Sequence, residues 1–211
     1  MKLQEIGEFG FIDRIKQGCL ISNGRVLQGI GDDCCVFRTS GDLVTIVTTD
    51  MLVENIHFLR EVAAPFTLGR KALSVNISDI AAMGGIPREA LVSVGIPHAV
   101  DVEYLDGFYD GMKAVAGEFQ VNLLGGDTTA SPRDLIISVT VVGEAREDEI
   151  RYRRGARPGD VIFLTGPVGC AAAGLDLLLQ KRVFAGKNQL LAFHHDPHPH
   201  VEAGRIIGRL K

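Results

Sequence analysis

The sequence has no tryptophan and three tyrosines, and no apolar run approaches the roughly 18 residues that a membrane helix requires. Its start, MKLQEIGEFG, lacks the apolar core of a secretory signal, so a cytoplasmic localisation and no membrane partner are expected. Positive charge is also scarce. The 22 Lys and Arg stand against 26 Asp and Glu, a formal net charge of −4, which leaves no cationic excess to hold a nucleic-acid backbone. The four cysteines, Cys19, the adjacent Cys34 and Cys35, and Cys170, form neither a C-x-x-C clamp nor a disulfide framework, so reduced thiols packed as small apolar groups are expected. Equally absent are G-x-x-x-x-G-K-[ST], a G-x-G-x-x-G entering a helix, the kinase triplet H-R-D and the elbow G-x-S-x-G. The common nucleotide folds and Ser-His-Asp catalysis are thereby disfavoured. His194, His195, His198 and His200 are too loosely spaced to mark zinc and read as a loop.

What is present suffices for one core and part of a second: 46% hydrophobic residues over 211 positions. Apolar periodicity predicts helices over residues 6–16, 67–83 and 102–119, the second ended by Gly84-Gly85. Strands are predicted over 34–37, 43–49, 91–96, 121–124 and 135–142. The charged stretch 145–160, with five arginines, marks a boundary between a first domain, 1–145, and a second, 146–211. The second reads as a strand over 161–164, a glycine turn at Gly166 to Gly169, a helix over 171–180 and a helix over 201–210. A single strand cannot be shielded on both faces by so little chain, so the sequence reads as cut short.

Acidic residues recur beside apolar strand-like runs. Residues 44–49 lead into Asp50, and 121–124 lead through Gly125-Gly126 into Asp127. Asp32-Asp33 precede a strand after Gly29-Ile30-Gly31, and Asp79 interrupts the apolar run Val75-Asn76-Ile77-Ser78-Asp79-Ile80-Ala81-Ala82-Met83. Taken singly, each Asp can serve a local turn. Together with the hydroxyls of Thr48 and Thr49 they form an oxygen-rich set suited to Mg²⁺, which uses one or two carboxylates per ion plus water and phosphate oxygens. Several ions bridging a polyphosphate are expected, with Gly125-Gly126 letting backbone approach the ligand. Gly166 to Gly169 serve either a ligand at a helix N-terminus or a plain turn. Arg153 either reaches phosphate or lies on a solvated face, and His57 is a candidate for substrate contact.

In order, Gly31-Asp32-Asp33, Thr48-Thr49-Asp50-Met51-Leu52-Val53-Glu54, Lys71-Ala72 with the Asn76 to Gly85 run, Gly125-Gly126-Asp127-Thr128, and Arg153 with Gly155-Ala156 resemble the thiamine-monophosphate kinase family through nearly the whole chain. That family belongs to a superfamily with aminoimidazole ribonucleotide synthetase, selenophosphate synthetase and a hydrogenase maturation protein. The resemblance implies an α+β fold: an N-terminal antiparallel sheet with helices on one face, pairing across a homodimer, followed by the start of a C-terminal α/β domain. It implies that Asp32, Thr48, Thr49, Asp50, Asp79 and Asp127 hold several Mg²⁺ ions, that Gly126, Asp127 and Arg153 touch ATP, and that His57 touches thiamine monophosphate. The implied reaction moves the γ-phosphoryl group of ATP onto thiamine monophosphate, giving thiamine diphosphate and ADP. No catalytic side chain is implied, because transfer is in line and metal-assisted.

Departures are Cys34-Cys35 for a small pair, Asn55 for glycine and Arg154 for serine; the family's S-D-G-L motif would fall beyond Lys211. Two alternatives remain open: another ATP-dependent superfamily member, such as a selenophosphate or purine-pathway synthetase, or a non-catalytic nucleotide-binding fragment. The first ten residues hold none of the cysteine that a selenophosphate synthetase would favour.

Overall fold

Strict alternation over residues 43–53 forces a strand with one face turned inward: Val44, Ile46, Thr48 and Leu52 are buried, while Leu43, Thr49 and Met51 are exposed. This strand, β3 (Leu43–Val53), is at the centre of a computed structural model that describes residues 2–22, 24–180 and 188–210. The sheet also contains β1 (Val26–Gln28), β2 (Cys35–Ser40), β4 (Ile86–Pro97), β5 (Asn122–Ser131) and β6 (Ile136–Arg146), in the order β1-β2-β3-β6-β4-β5. The short β1 carries no signal in the sequence beyond three residues and was not anticipated.

The expected antiparallel sheet is mixed. β4 and β5 run parallel, because an 18-residue helix, α3 (Val102–Phe119), carries the chain back over the sheet between them. All other pairings are antiparallel. Asp101 caps α3 by accepting from the Tyr104 N–H at 2.8 Å, and Gln120 ends it in the left-handed region.

The main covering helix is α2 (Pro65–Ala82), with proline at its first turn and Leu68, Ala72, Leu73, Ile77 and Ile80 buried against β3, β4 and β6. α3 packs on α2 closely enough that a Cβ on Gly69 would stand 1.8 Å from the Phe108 carbonyl oxygen, and one on Gly111 the same distance from that of Phe66. Glycine at both positions lets the backbones touch. The opposite sheet face carries no helix among the described residues. α1 (Leu3–Ile15) is kinked at Gly7 and buries none of its residues.

Beyond residue 150 the described residues hold helices only: α4 (Cys170–Leu179), α5 (Asn188–His195) and α6 (Val201–Arg209). The strand expected at 161–164 is not formed. Val161, Ile162, Phe163 and Leu164 are 65–88% exposed, and no described strand lies beside them to complete a ladder. His194 and His195, expected in a loop, close α5, while His198 and His200 lie between α5 and α6. The part of that loop over 181–187, and Lys211, fall outside the described residues. α6 packs on α2, and Arg70 of α2 binds both Asp196 oxygens at 2.8 and 2.9 Å, tying α5 to the sheet-covering layer.

Candidate active site

The strand period that buries Ile46 and Leu52 also turns Thr48 and Asp50 toward α2. There the Thr48 hydroxyl donates to Asp79 Oδ2 at 2.7 Å. Beyond the end of β2, the Asp50 N–H donates to Asn76 Oδ1 at 2.9 Å, while the Asn76 amide donates to the Ala72 carbonyl at 3.1 Å. Asn76 is buried and joins strand to helix, fixing Asp50 opposite Asp79.

Asp32 and Asp33 approach from the loop before β2. The Arg153 N–H donates to Asp32 Oδ2 at 3.3 Å, and the Arg153 guanidinium pairs with Asp33. Burial pushes the Asp79 carboxyl up to about 6; the charges of Asp50 and Asp33 add to the rise, and the Thr48 hydrogen bond and Arg153 oppose it. Burial likewise raises Asp50, with His57 opposing. The buried Cys34 thiol is raised first by burial and then by Asp79 and Asp33, which makes it an unreactive packing group.

Carboxylates gathered this closely, with one arginine among them, favour a cation. Their oxygen donors fit Mg²⁺. Among the described residues no three His, Cys, Asp or Glu side chains surround a single point, so the fit is to ions completed by phosphate oxygens and water, not to a protein-only cage.

Thr49 and Asp127 lie elsewhere. Thr49 faces the open side, where its hydroxyl donates to the Val139 carbonyl at 3.2 Å and accepts from Thr140 at 3.0 Å. Asp127, expected just past a strand, lies within β5 and shares a cross-sheet row with Ser93, Ser138 and the exposed Met51. Three strand spacings put it about 14 Å from β3, on the face opposite Asp50. Gly126, beside it, has φ 151°, and a Cβ there would stand 1.7 Å from the Val92 carbonyl oxygen, so no side chain fits.

A family model described as AIR synthase related protein, N-terminal domain, matches residues 31–145. The chain belongs to this family. Among proteins similar to this AIR synthase related chain are two named thiamine-monophosphate kinase. The one from Bacillus subtilis is 37% identical over 195 residues, 90% of this chain and 60% of the relative; the one from Aquifex aeolicus is 40% identical, over 86% and 56%. A solved structure described as AaThiL complexed with AMPPCP and TMP superposes with a TM-score of 0.89 at 36% identity, covering 99% of this chain and 65% of that one. The chain thus spans about 60% of the length of the curated relatives it matches.

His57 lies just past β3, in a turn made by Asn55 at φ 66°, and is exposed. Its Nδ1 accepts from the Val53 N–H at 3.0 Å, which leaves the ring proton of the neutral form on Nε2. It borders a 220 Å³ cavity lined also by Lys71 of α2, Leu175 and Leu178 of α4, and His194 and His195. The metal-type cluster and this cavity in the AIR synthase related fold therefore share α2 and the end of β3 as common walls.

Sequence reasoning counted Asp33 among the metal-suited acids without foreseeing its pairing with Arg153, and singled out no role for Asn76, Lys71, His194 or His195. For Lys71 and Asp79 a signal existed: they stand eight residues apart on α2, close to one helix face. For the histidines none existed, because their helix is set against the cavity by long-range packing.

Proposed function

We propose that this chain is the N-terminal part of a thiamine-monophosphate kinase, which transfers the γ-phosphoryl group of ATP to thiamine monophosphate and releases thiamine diphosphate and ADP in the cytoplasm. The observation that carries the reading is the Thr48–Asp79–Asp50 cluster with Asp32 and Asp33 at its rim, beside a separate apolar cavity bordered by His57. Relatives bearing that name at 37% and 40% identity, and a neighbour complexed with AMPPCP and TMP, support it. We assign residues 1–145 to ATP and metal binding and to dimerisation, and 146–211 to a linker and the beginning of a second domain. No helix among the described residues is long and apolar enough to cross a membrane.

Asp32, Thr48, Thr49, Asp50, Asp79 and Asp127 would hold several Mg²⁺ ions, and Gly126, Asp127 and Arg153 would meet ATP. When bound, magnesium neutralises the negative charge that keeps two phosphate groups apart. The chain's own part is placement. The Asn76 bridge holds Asp50 against Asp79, and the bare backbone at Gly126 lets a nucleotide approach β5. Arg153, held by Asp33 in the free chain, is positioned to exchange that carboxylate for phosphate. His57 presents Nε2–H at the cavity mouth. No general base is needed, since a phosphate monoester with a second pKa of about 6 is already a nucleophilic anion at neutral pH.

Exposed Leu43, Met51 and Leu91 on the uncovered sheet face support a homodimer through that surface, which also carries Thr49 and Asp127. The test is to incubate the full-length protein with ATP, Mg²⁺ and thiamine monophosphate. Thiamine diphosphate and ADP in equal amounts are expected. ATP binding without thiamine diphosphate would overturn the reading.

A further inference from the structure

We infer that Lys71 is the residue that reads the acceptor's phosphate, a role that rests on the kinase reading above. Lys71 points into the 220 Å³ cavity beside His57, and its Nζ lies 3.3 Å from the His57 carbonyl oxygen. Among the described residues, no carboxylate comes within salt-bridge distance of this half-buried ammonium. A cation drawn out of water without an anion is costly, and the cavity's other polar groups cannot supply one. Burial, reinforced by the charge of Lys71, lowers His194 to about 4, and His195 also falls, so both rings stay neutral near pH 7.

The remaining lining is apolar, chiefly Ile56, Leu175, Leu178 and Leu179. A phosphate monoester with a largely apolar ring system matches that division into one charged corner and one greasy wall. The position along α2 fits as well. Eight residues, about 12 Å of helix, separate Lys71 from Asp79, and His57 lies just past the end of β3, the strand that carries Asp50. An acceptor phosphate gripped by Lys71 thus lies between the cavity and the carboxylate cluster. The same ammonium could instead bind a phosphate of ATP, and the test separates the two.

The experiment compares binding of thiamine monophosphate, of thiamine and of ATP to the full-length enzyme, wild type and Lys71→Gln, by calorimetry, with turnover measured alongside. The wild type is expected to prefer the monophosphate over thiamine, and Lys71→Gln to lose about tenfold or more for the monophosphate while thiamine and ATP affinities hold. Lys71→Arg, which keeps the charge, is expected to bind the monophosphate more tightly than Lys71→Gln. Unchanged discrimination in Lys71→Gln with active wild type overturns the Lys71 role alone, as does a selective loss for ATP. Wild type that makes no thiamine diphosphate overturns the kinase reading, and the Lys71 role with it. Should Lys71→Gln not fold, labelling of wild-type Lys71 by an amine-directed reagent, read by mass spectrometry, replaces it. Protection by thiamine monophosphate and not by thiamine is expected, and equal labelling with either ligand overturns the role.

Discussion

The two faces of β3 are built from alternating residues of one eleven-residue strand, yet they do opposite things. The face toward α2 buries Val44, Ile46 and Leu52 and places Thr48 and Asp50 in a confined space with Asp79. The other face leaves Thr49 and Met51 exposed, in line with Asp127 on the edge strand. Acids confined among apolar neighbours acquire raised proton affinity and a demand for a cation. On the open face Asp127 has no confined neighbours of that kind and accepts from the Thr128 N–H at 2.9 Å. Proximity in sequence to a strand therefore says little about the surroundings an aspartate meets; the face it lands on decides them.

The largest effect that sharpens this contrast concerns activity. Asp50→Asn in the full-length protein is expected to lower the rate of thiamine diphosphate formation by about 100-fold or more, the scale of several kcal/mol of lost charge stabilisation. Its circular dichroism should stay native, since the strand and Asn76 bridge are retained. A rate within tenfold of wild type would break the assignment of the inner face.

Next in size is packing. Ile46, fully buried under α2, should cost about 2–5 kcal/mol on replacement by Ala, read from urea unfolding, whereas Met51→Ala, 55% exposed on the other face of the same strand, should cost under about 0.5 kcal/mol. Equal losses at both positions would mean that the open face is covered, within one chain if the Met51 loss is independent of protein concentration and by a second copy if it is not. If two copies meet there, Met51→Glu should weaken dimerisation in analytical ultracentrifugation while leaving monomer unfolding unchanged.

The smallest expected effect is a pH dependence. His194 takes up a proton near 4 when folded but near 6.5 when unfolded. Between those values the unfolded chain binds more protons, so the part of the stability that this ring controls falls as pH drops from about 6.5 toward 4 and levels off below, while Asp79, raised to about 6, contributes in the opposite sense over the same range. In thermal melts across that window the wild type should lose stability relative to His194→Gln as pH drops, because the substitution removes this ring's contribution and leaves that of Asp79. A melting temperature that rises on acidification in wild type, and does so unchanged in His194→Gln, would contradict the burial of this ring.

Much of the first 145 residues was legible because periodicity there is set locally. The helix expected over 102–119 coincides with α3, and β3 and α2 differ from expectation only at their ends. Thr48, Asp50 and Asp79 could be suspected from residue type, but their meeting depends on β3 lying beneath α2, which no local pattern states. The strand expected over 121–124 stops before Gly125-Gly126, whereas β5 runs on through both glycines because they let it lie against β4. The run at 161–164 has strand composition without a neighbouring strand, and pairing, unlike periodicity, cannot be seen in one segment. The cavity was illegible for the same reason: Lys71, His57 and His194 come from three separate stretches joined in part by the Arg70–Asp196 pair.

The most direct test of the account is a magnesium titration of the full-length protein's melting temperature, with the non-hydrolysable analogue AMPPCP present, in wild type and Asp79→Asn. Without metal, Asp79→Asn should melt above wild type at pH 7.5, because it removes a confined charge whose burial and like-charged neighbours disfavour the folded state. Added magnesium should then raise the wild type steeply and Asp79→Asn little, reversing the order. An equal rise in both proteins would contradict the claim that the inner face of this sheet holds the metal on which phosphoryl transfer depends.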